Sequence, residues 1–108
     1  MVFKLFETKD AMQRMLQNNE PRLVIAGNRN ICVVRQEDRL VAFENECPHM
    51  KEGLNGGVVN YLNEIVCPLH TYKFNLETGM EERQRCSQLR FIKIDISEEG
   101  IFLNFSSD

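Results

Sequence analysis

Both histidines of the chain follow a cysteine–proline step, in Cys47-Pro48-His49 and in Cys67-Pro68-Leu69-His70. Eight of the 108 positions lie two or three residues after one of the four cysteines. Finding both histidines there by chance has a probability of roughly (8/108)², about half a percent. Pro48 and Pro68 fix φ and suit the second position of a tight turn, so each cysteine–histidine pair belongs on a rigid loop at a strand end. The interval between the loops holds Asn55-Gly56-Gly57, a strand pattern over Val58 to Leu62, a turn near Asn63 and a strand pattern over Ile65 to Cys67. A strand and its return would bring both loops to the same end, so any fold for this chain has to serve one shared site.

The rest of the chain reads mostly as sheet. Short runs rich in β-branched and aromatic residues recur at Val2 to Phe6, Arg22 to Ala26, Ile31 to Arg35, Leu40 to Glu44, Tyr72 to Asn75, Phe91 to Ile96 and Ile101 to Phe105. Gly27-Asn28-Arg29-Asn30, Gln36-Glu37-Asp38, Glu77-Thr78-Gly79 and Ser97-Glu98-Glu99-Gly100 punctuate them, which predicts antiparallel hairpins. The exception is Thr8 to Asn18, a helix in which Ala11, Met12, Met15 and Leu16 share one face, Thr8 caps, Asp10 favours the positive end and Pro21 follows the stop. The expected class is all-β with one short helix, a small sandwich or barrel. A chain of this length buries roughly two thirds of its unfolded surface and needs no disulfide scaffold, so residues 1–108 are expected to form a single domain.

Composition excludes several functions. The formal net charge is -3, and aromatic residues are not interleaved with Lys and Arg, which speaks against nucleic acid as a partner. No apolar run exceeds four residues, too short for a transmembrane helix, and the N-terminal Met1 to Glu7 has no signal-peptide stretch. A cytoplasmic protein is expected. The methionine and alanine stripe of the helix reads as core filler, and the mixed-charge run Glu81-Glu82-Arg83-Gln84-Arg85 as a solvated loop, with docking as its secondary reading.

Two thiolates with two neutral imidazoles suit tetrahedral zinc, or an iron–sulfur centre in which two histidines replace two cysteines on one iron. Common zinc fingers gather their cysteines in one knuckle and their histidines in another, whereas here each loop offers one of each. The mixed order favours a two-iron site.

At these residues the chain resembles the Rieske-type [2Fe-2S] proteins, with their C-x-H and C-x2-H signature; here 17 residues separate His49 from Cys67. Cys47-Pro48-His49-Met50, Leu54, Gly56-Gly57, Cys67-Pro68-Leu69-His70 and Phe74-Asn75-Leu76-Glu77-Thr78-Gly79 all look like the Rieske ferredoxins. The resemblance implies a Rieske-type antiparallel β-sandwich, with a cluster-binding subdomain of two loops over approximately 45–79. It implies one [2Fe-2S] cluster per chain, with Cys47 and Cys67 on the inner iron and His49 and His70 on the outer one. High-potential relatives carry a disulfide between their loops, but the matching positions here hold Glu52 and Leu69. Where those relatives place a Ser and a Tyr to hydrogen-bond sulfur, this chain has Tyr72 and Phe74, so the potential is expected at the low end of the family's range. Thr71 stands where the family commonly has glycine. Cys32 reads as a buried small hydrophobe and Cys86 as a plain loop thiol.

Four protein ligands leave no vacant position on the metal, so the expected work is moving one electron rather than catalysis. The resemblance implies a small ferredoxin meeting redox protein partners, between a flavin reductase and a terminal oxygenase, and a monomer is the simplest expectation for a carrier that must dissociate quickly. The alternative is a Rieske subunit of a larger reductase, similar to nitrite reductase small subunits; a structural zinc module is the remote one.

Overall fold

The uninterrupted apolar run Ile31-Cys32-Val33-Val34 lies in a strand buried on both faces, and the architecture is arranged around it. The computed structural model describes residues 1–105; the last three positions of the span 1–108 expected as one domain lie outside the described residues. In chain order the elements are β1 (Val2–Phe6), α1 (Lys9–Met15), β2 (Arg22–Ala26), β3 (Arg29–Gln36), β4 (Arg39–Glu44), a 3₁₀ turn (Leu54–Gly56), β5 (Val58–Val59), β6 (Glu64–Val66), β7 (Lys73–Asn75), β8 (Lys93–Ser97) and β9 (Gly100–Asn104). They form three three-stranded sheets, β1-β9-β8, β2-β3-β4 and β5-β6-β7, with every strand pairing antiparallel.

Because side chains alternate along a strand, the middle sheet serves two cores. Ile31 and Val33 of β3, with Leu40 and Ala42 of β4, face Ile101, Leu103 and Phe105 of the terminal sheet and Met12 and Leu16 of the helix. Cys32 and Val34, with Phe43, face the opposite way, onto Ile65 and Phe74 of the third sheet and the two loop cysteines, Cys47 and Cys67. The amides of Glu44 and Ile92 donate to the carbonyls of Arg90 and Ala42, both at 2.9 Å, so the segment before β8 closes the free edge of β4. Cys32 is fully buried, as its strand predicts, and burial pushes its thiol up to about 12.

Several boundaries differ from those expected, each for a local reason. The helix starts as predicted, with Thr8 Oγ1 accepting from the Ala11 amide at 3.0 Å, yet it ends at Met15 rather than Asn18. Arg35 Nε takes the Leu16 carbonyl at 2.8 Å, the Asn19 amide donates to the Arg35 carbonyl at 2.7 Å, and Asn18 Oδ1 accepts from the Glu37 amide at 2.6 Å. These bonds to the β3–β4 turn draw residues 16–19 out of the helix, and Met15, expected on the buried face, is left 64% exposed. The strand expected from Val58 to Leu62 stops at Val59, because Asn60 Oδ1 accepts from the amides of Leu62 and Glu64, both at 3.0 Å, and folds the chain into a turn. Phe91, expected to open the last hairpin, makes only a bridge to Phe43, and β8 begins at Lys93.

Gly57 allows the closest backbone approach in the third sheet: a Cβ there would land on the Val66 carbonyl oxygen, one residue before Cys67. Gly57→Ala is expected to cost about 1–3 kcal/mol through overpacking. Gly56→Ala should be nearly neutral, since its added Cβ would meet Pro68 Cγ at an ordinary 3.7 Å. Thermal denaturation of the two variants side by side checks this; equal midpoints would contradict it.

Candidate metal centre

Each loop is closed by the same backbone device. The Cys47 amide donates to the Glu52 carbonyl at 2.7 Å and the Cys67 amide to the Tyr72 carbonyl at 2.8 Å, five residues ahead in both cases. The first loop turns back through Lys51 at φ 62, whose amide donates to the Cys47 carbonyl at 2.7 Å. Asn45 then clamps its far side, donating to Asn55 Oδ1 and accepting from the Asn55 amide, both at 2.8 Å. The second loop turns through two consecutive left-handed residues, His70 at φ 66 and Thr71 at φ 55. Histidine tolerates that region, but a β-branched side chain there is strained. The glycine that the family commonly has at position 71 would carry no such strain.

This frame brings the four sequence-predicted residues together. Cys47 and Cys67 are both fully buried within the core behind the loops. The imidazoles of His49 and His70 lie in front with ring centroids 5.5 Å apart. His70 is exposed and His49 is half-buried. His49 Nδ1 is the one buried side-chain nitrogen or oxygen with no hydrogen-bond partner among the described residues. Such an atom costs about 1–3 kcal/mol unless something satisfies it, and a metal ion on that nitrogen does so. Burial pushes the Cys67 thiol up to about 11, while the Leu69 amide pulls the other way and the Cys47 thiol beside it adds to the rise. A metal binding at the Cys67 sulfur would displace its proton. Among the described residues no three His, Cys, Asp or Glu side chains converge as a single-ion site requires. A buried sulfur pair behind an imidazole pair suits two irons instead.

The residues that sequence reasoning missed lie on the covered side of His49. Tyr72 stacks on the His49 ring at 3.7 Å with an interplanar angle of 13°, and the Arg85 guanidinium sits over the other face of Tyr72, 3.7 Å from its centroid. Arg85 is held by Glu81, with Nη2 at 2.5 Å from Oε2 and Nε at 3.1 Å from Oε1. Glu81 is 2% exposed, which corrects the expectation that the run Glu81 to Arg85 is simply a solvated loop. The Arg85 guanidinium holds the Glu81 carboxyl down at about 2; burial opposes this, and the backbone amides of Arg85 and Arg83 assist. Glu81 in turn raises the Arg85 pKa. Cys86, expected as a plain loop thiol, packs against the core that contains Cys47, and burial raises its pKa, with the nearby Glu81 and Cys47 adding to the effect. The opposite charges at Glu81 and Arg85 were the only sequence signal for this arrangement, and that spacing is informative only on a helix.

A family model described as the Rieske [2Fe-2S] domain matches residues 7–93. The chain belongs to the Rieske [2Fe-2S] domain family, and its cofactor is a Rieske-type [2Fe-2S] cluster. Among solved structures it is similar to the ferredoxin of carbazole 1,9a-dioxygenase from Nocardioides aromaticivorans IC177, at 26% identity and a TM-score of 0.78, over 95% of this chain and 96% of that one. A putative nitrite reductase small subunit shares the fold at 16% identity and a TM-score of 0.75, over 96% of this chain and 98% of the other. The carnitine monooxygenase oxygenase subunit of Acinetobacter baumannii is 33% identical over 61 residues, 56% of this chain; the match spans 16% of that relative's length.

Two outcomes follow from this geometry. Replacing Thr71 by Gly relieves about 1–2 kcal/mol of left-handed strain and gives back about 0.5–1 kcal/mol in chain entropy, so stability should rise slightly. Thr71→Asn should change stability in the same direction, and a lowered denaturation midpoint in both variants would contradict the strain. The second concerns Glu81, whose folded pKa of about 2 lies below the ordinary 4.5. Its contribution is therefore complete above about pH 4.5 and is lost as pH falls toward 2. Wild type should be more stable than Glu81→Gln at neutral pH, with the gap closing across that window in parallel urea titrations. A gap independent of pH would contradict it.

Proposed function

We propose that the chain is a ferredoxin that carries one electron at a time from a flavin reductase to a terminal oxygenase, with Cys47, His49, Cys67 and His70 as the ligands of its cluster. The observation that carries this reading is the pair of identically closed loops, with two buried sulfurs behind two imidazoles and the Nδ1 of His49 unpartnered. When bound, the cluster takes up and gives back a single electron with no change of ligands. The chain's own residues do the rest. Cys47 and Cys67 keep the inner side away from water, and His70 presents an exposed imidazole edge to an incoming partner. The likeness to a dioxygenase ferredoxin over nearly the whole of both chains supports an oxygenase as the acceptor.

On this reading residues 1–108 are one domain, with the ligand loops in a subdomain over approximately 45–79. The protein acts as a cytoplasmic monomer that meets redox proteins, and neither nucleic acid nor a membrane. The net charge of -3 speaks against nucleic acid as a partner; no described helix is long and apolar enough to cross a membrane. A permanent subunit of a larger reductase is the second reading. Its support is the exposed apolar hairpin of Val58, Tyr61 and Leu62, of which Tyr61 is 95% exposed. A stoichiometric complex that survives high salt would favour the subunit; salt-sensitive, transient binding favours the carrier.

The deciding experiment is electron paramagnetic resonance of anaerobically purified, dithionite-reduced protein, with iron, zinc and acid-labile sulfide measured on the same sample. The expected result is a rhombic signal of low average g with near-equal iron and sulfide. Cys47→Ser and His70→Ala should abolish it, and Cys32→Ser should leave it intact. A silent spectrum with one zinc per chain, persisting after iron–sulfur reconstitution, would overturn the reading.

A further inference from the structure

We infer that Tyr72 and Arg85 are positioning residues for His49, a cover that fixes the plane of one imidazole and leaves His70 as the more open edge of the site. The inference rests on the reading of His49 as a ligand. A metal-binding imidazole is usually oriented by a hydrogen bond from its second nitrogen, but here an aromatic ring is stacked on it. Tyr72 lies almost parallel to it, 3.7 Å away. Tyr72 is pressed from behind by the Arg85 guanidinium at 3.7 Å, a cation over an aromatic face.

Arg85 has a fixed seat, because Glu81 grips it through both carboxylate oxygens and also accepts from its backbone amide at 2.8 Å. Glu81 itself is tied to the loop that carries His70. It bridges Phe74, and the Glu82 amide donates to the Lys73 carbonyl at 2.9 Å, so this segment runs alongside β7 directly after Tyr72. The order is buried carboxylate, guanidinium, phenol ring, imidazole. His70 meets His49 edge-on at 60° and stands exposed. The two imidazoles are therefore inequivalent: one is stacked and half-buried, the other exposed.

The test uses the iron-loaded full chain in four forms: wild type, Tyr72→Phe, Tyr72→Leu and the charge-neutral double variant Glu81→Gln/Arg85→Met. Three quantities are read on each: the rate of iron loss to a chelator, the g values of the reduced protein, and the thermal unfolding midpoint. Tyr72→Leu and the double variant should lose iron on the order of 10-fold faster, the range typical of residues that orient a metal ligand, and their g values should shift. Tyr72→Phe keeps both faces of the stack and should match wild type within about twofold. Unchanged g values and loss rates in Tyr72→Leu would overturn the inference. So would faster loss that merely tracks a lowered midpoint with g values unmoved, or a Tyr72→Phe variant as impaired as Tyr72→Leu. A wild-type chain with no histidine-ligated signal would instead sink the proposed function, and the cover with it.

Discussion

Strands β3 and β4 of the middle sheet are buried on both faces, and the end of the molecule that carries the two loops depends on that. β3 and β4 send alternate side chains into the helix-covered core and into the core behind the loops. Cys47 and Cys67 thus rest on Cys32, Val34 and Phe43, apolar groups in a sheet whose other face is also packed. The same packing explains why the Cys67 thiol is hard to ionise: burial disfavours its thiolate, and a bound cation would restore it.

Backbone bonds place the proposed ligands on this base. Each cysteine amide reaches five residues ahead, so the two loops have the same width although one holds Cys-x-His and the other Cys-x-x-His. The histidine of the second loop sits one position later in it, on the left-handed pair His70 and Thr71. Local strain is retained at a binding loop because the sheets on either side determine its ends. The buried Glu81 is a second local cost. A lone carboxylate in that position would be strongly unfavourable, and the fork of Arg85 offsets it.

Much of this was legible in the residues. β1 and β2 coincide with their expected spans, and β3, β4 and β9 differ by one or two residues, because β-branched runs between turn residues carry a strong local signal. The two Cys-Pro loops were legible for a different reason, the joint spacing of rare residue types. The shortened helix was not, since Arg35, Asn18 and Asn19 end it through bonds between distant segments. The early stop of β5 was local, but it lay in the amide side chain of Asn60 rather than in any period. Least legible was the Glu81, Arg85, Tyr72 and His49 stack. Stacking across segments leaves no periodicity, and a mixed-charge run has the composition of a solvated loop whether or not one of its carboxylates is buried.

The central claim is that two imidazoles and two thiolates of this chain share one two-iron centre. Electron–nuclear double resonance on the reduced protein, grown with ¹⁵N-labelled histidine, tests it most directly. The account predicts strong couplings from two histidine nitrogens, one from each loop, the first lost in His49→Cys and the second in His70→Cys. Coupling from one histidine alone, or from none, would contradict it.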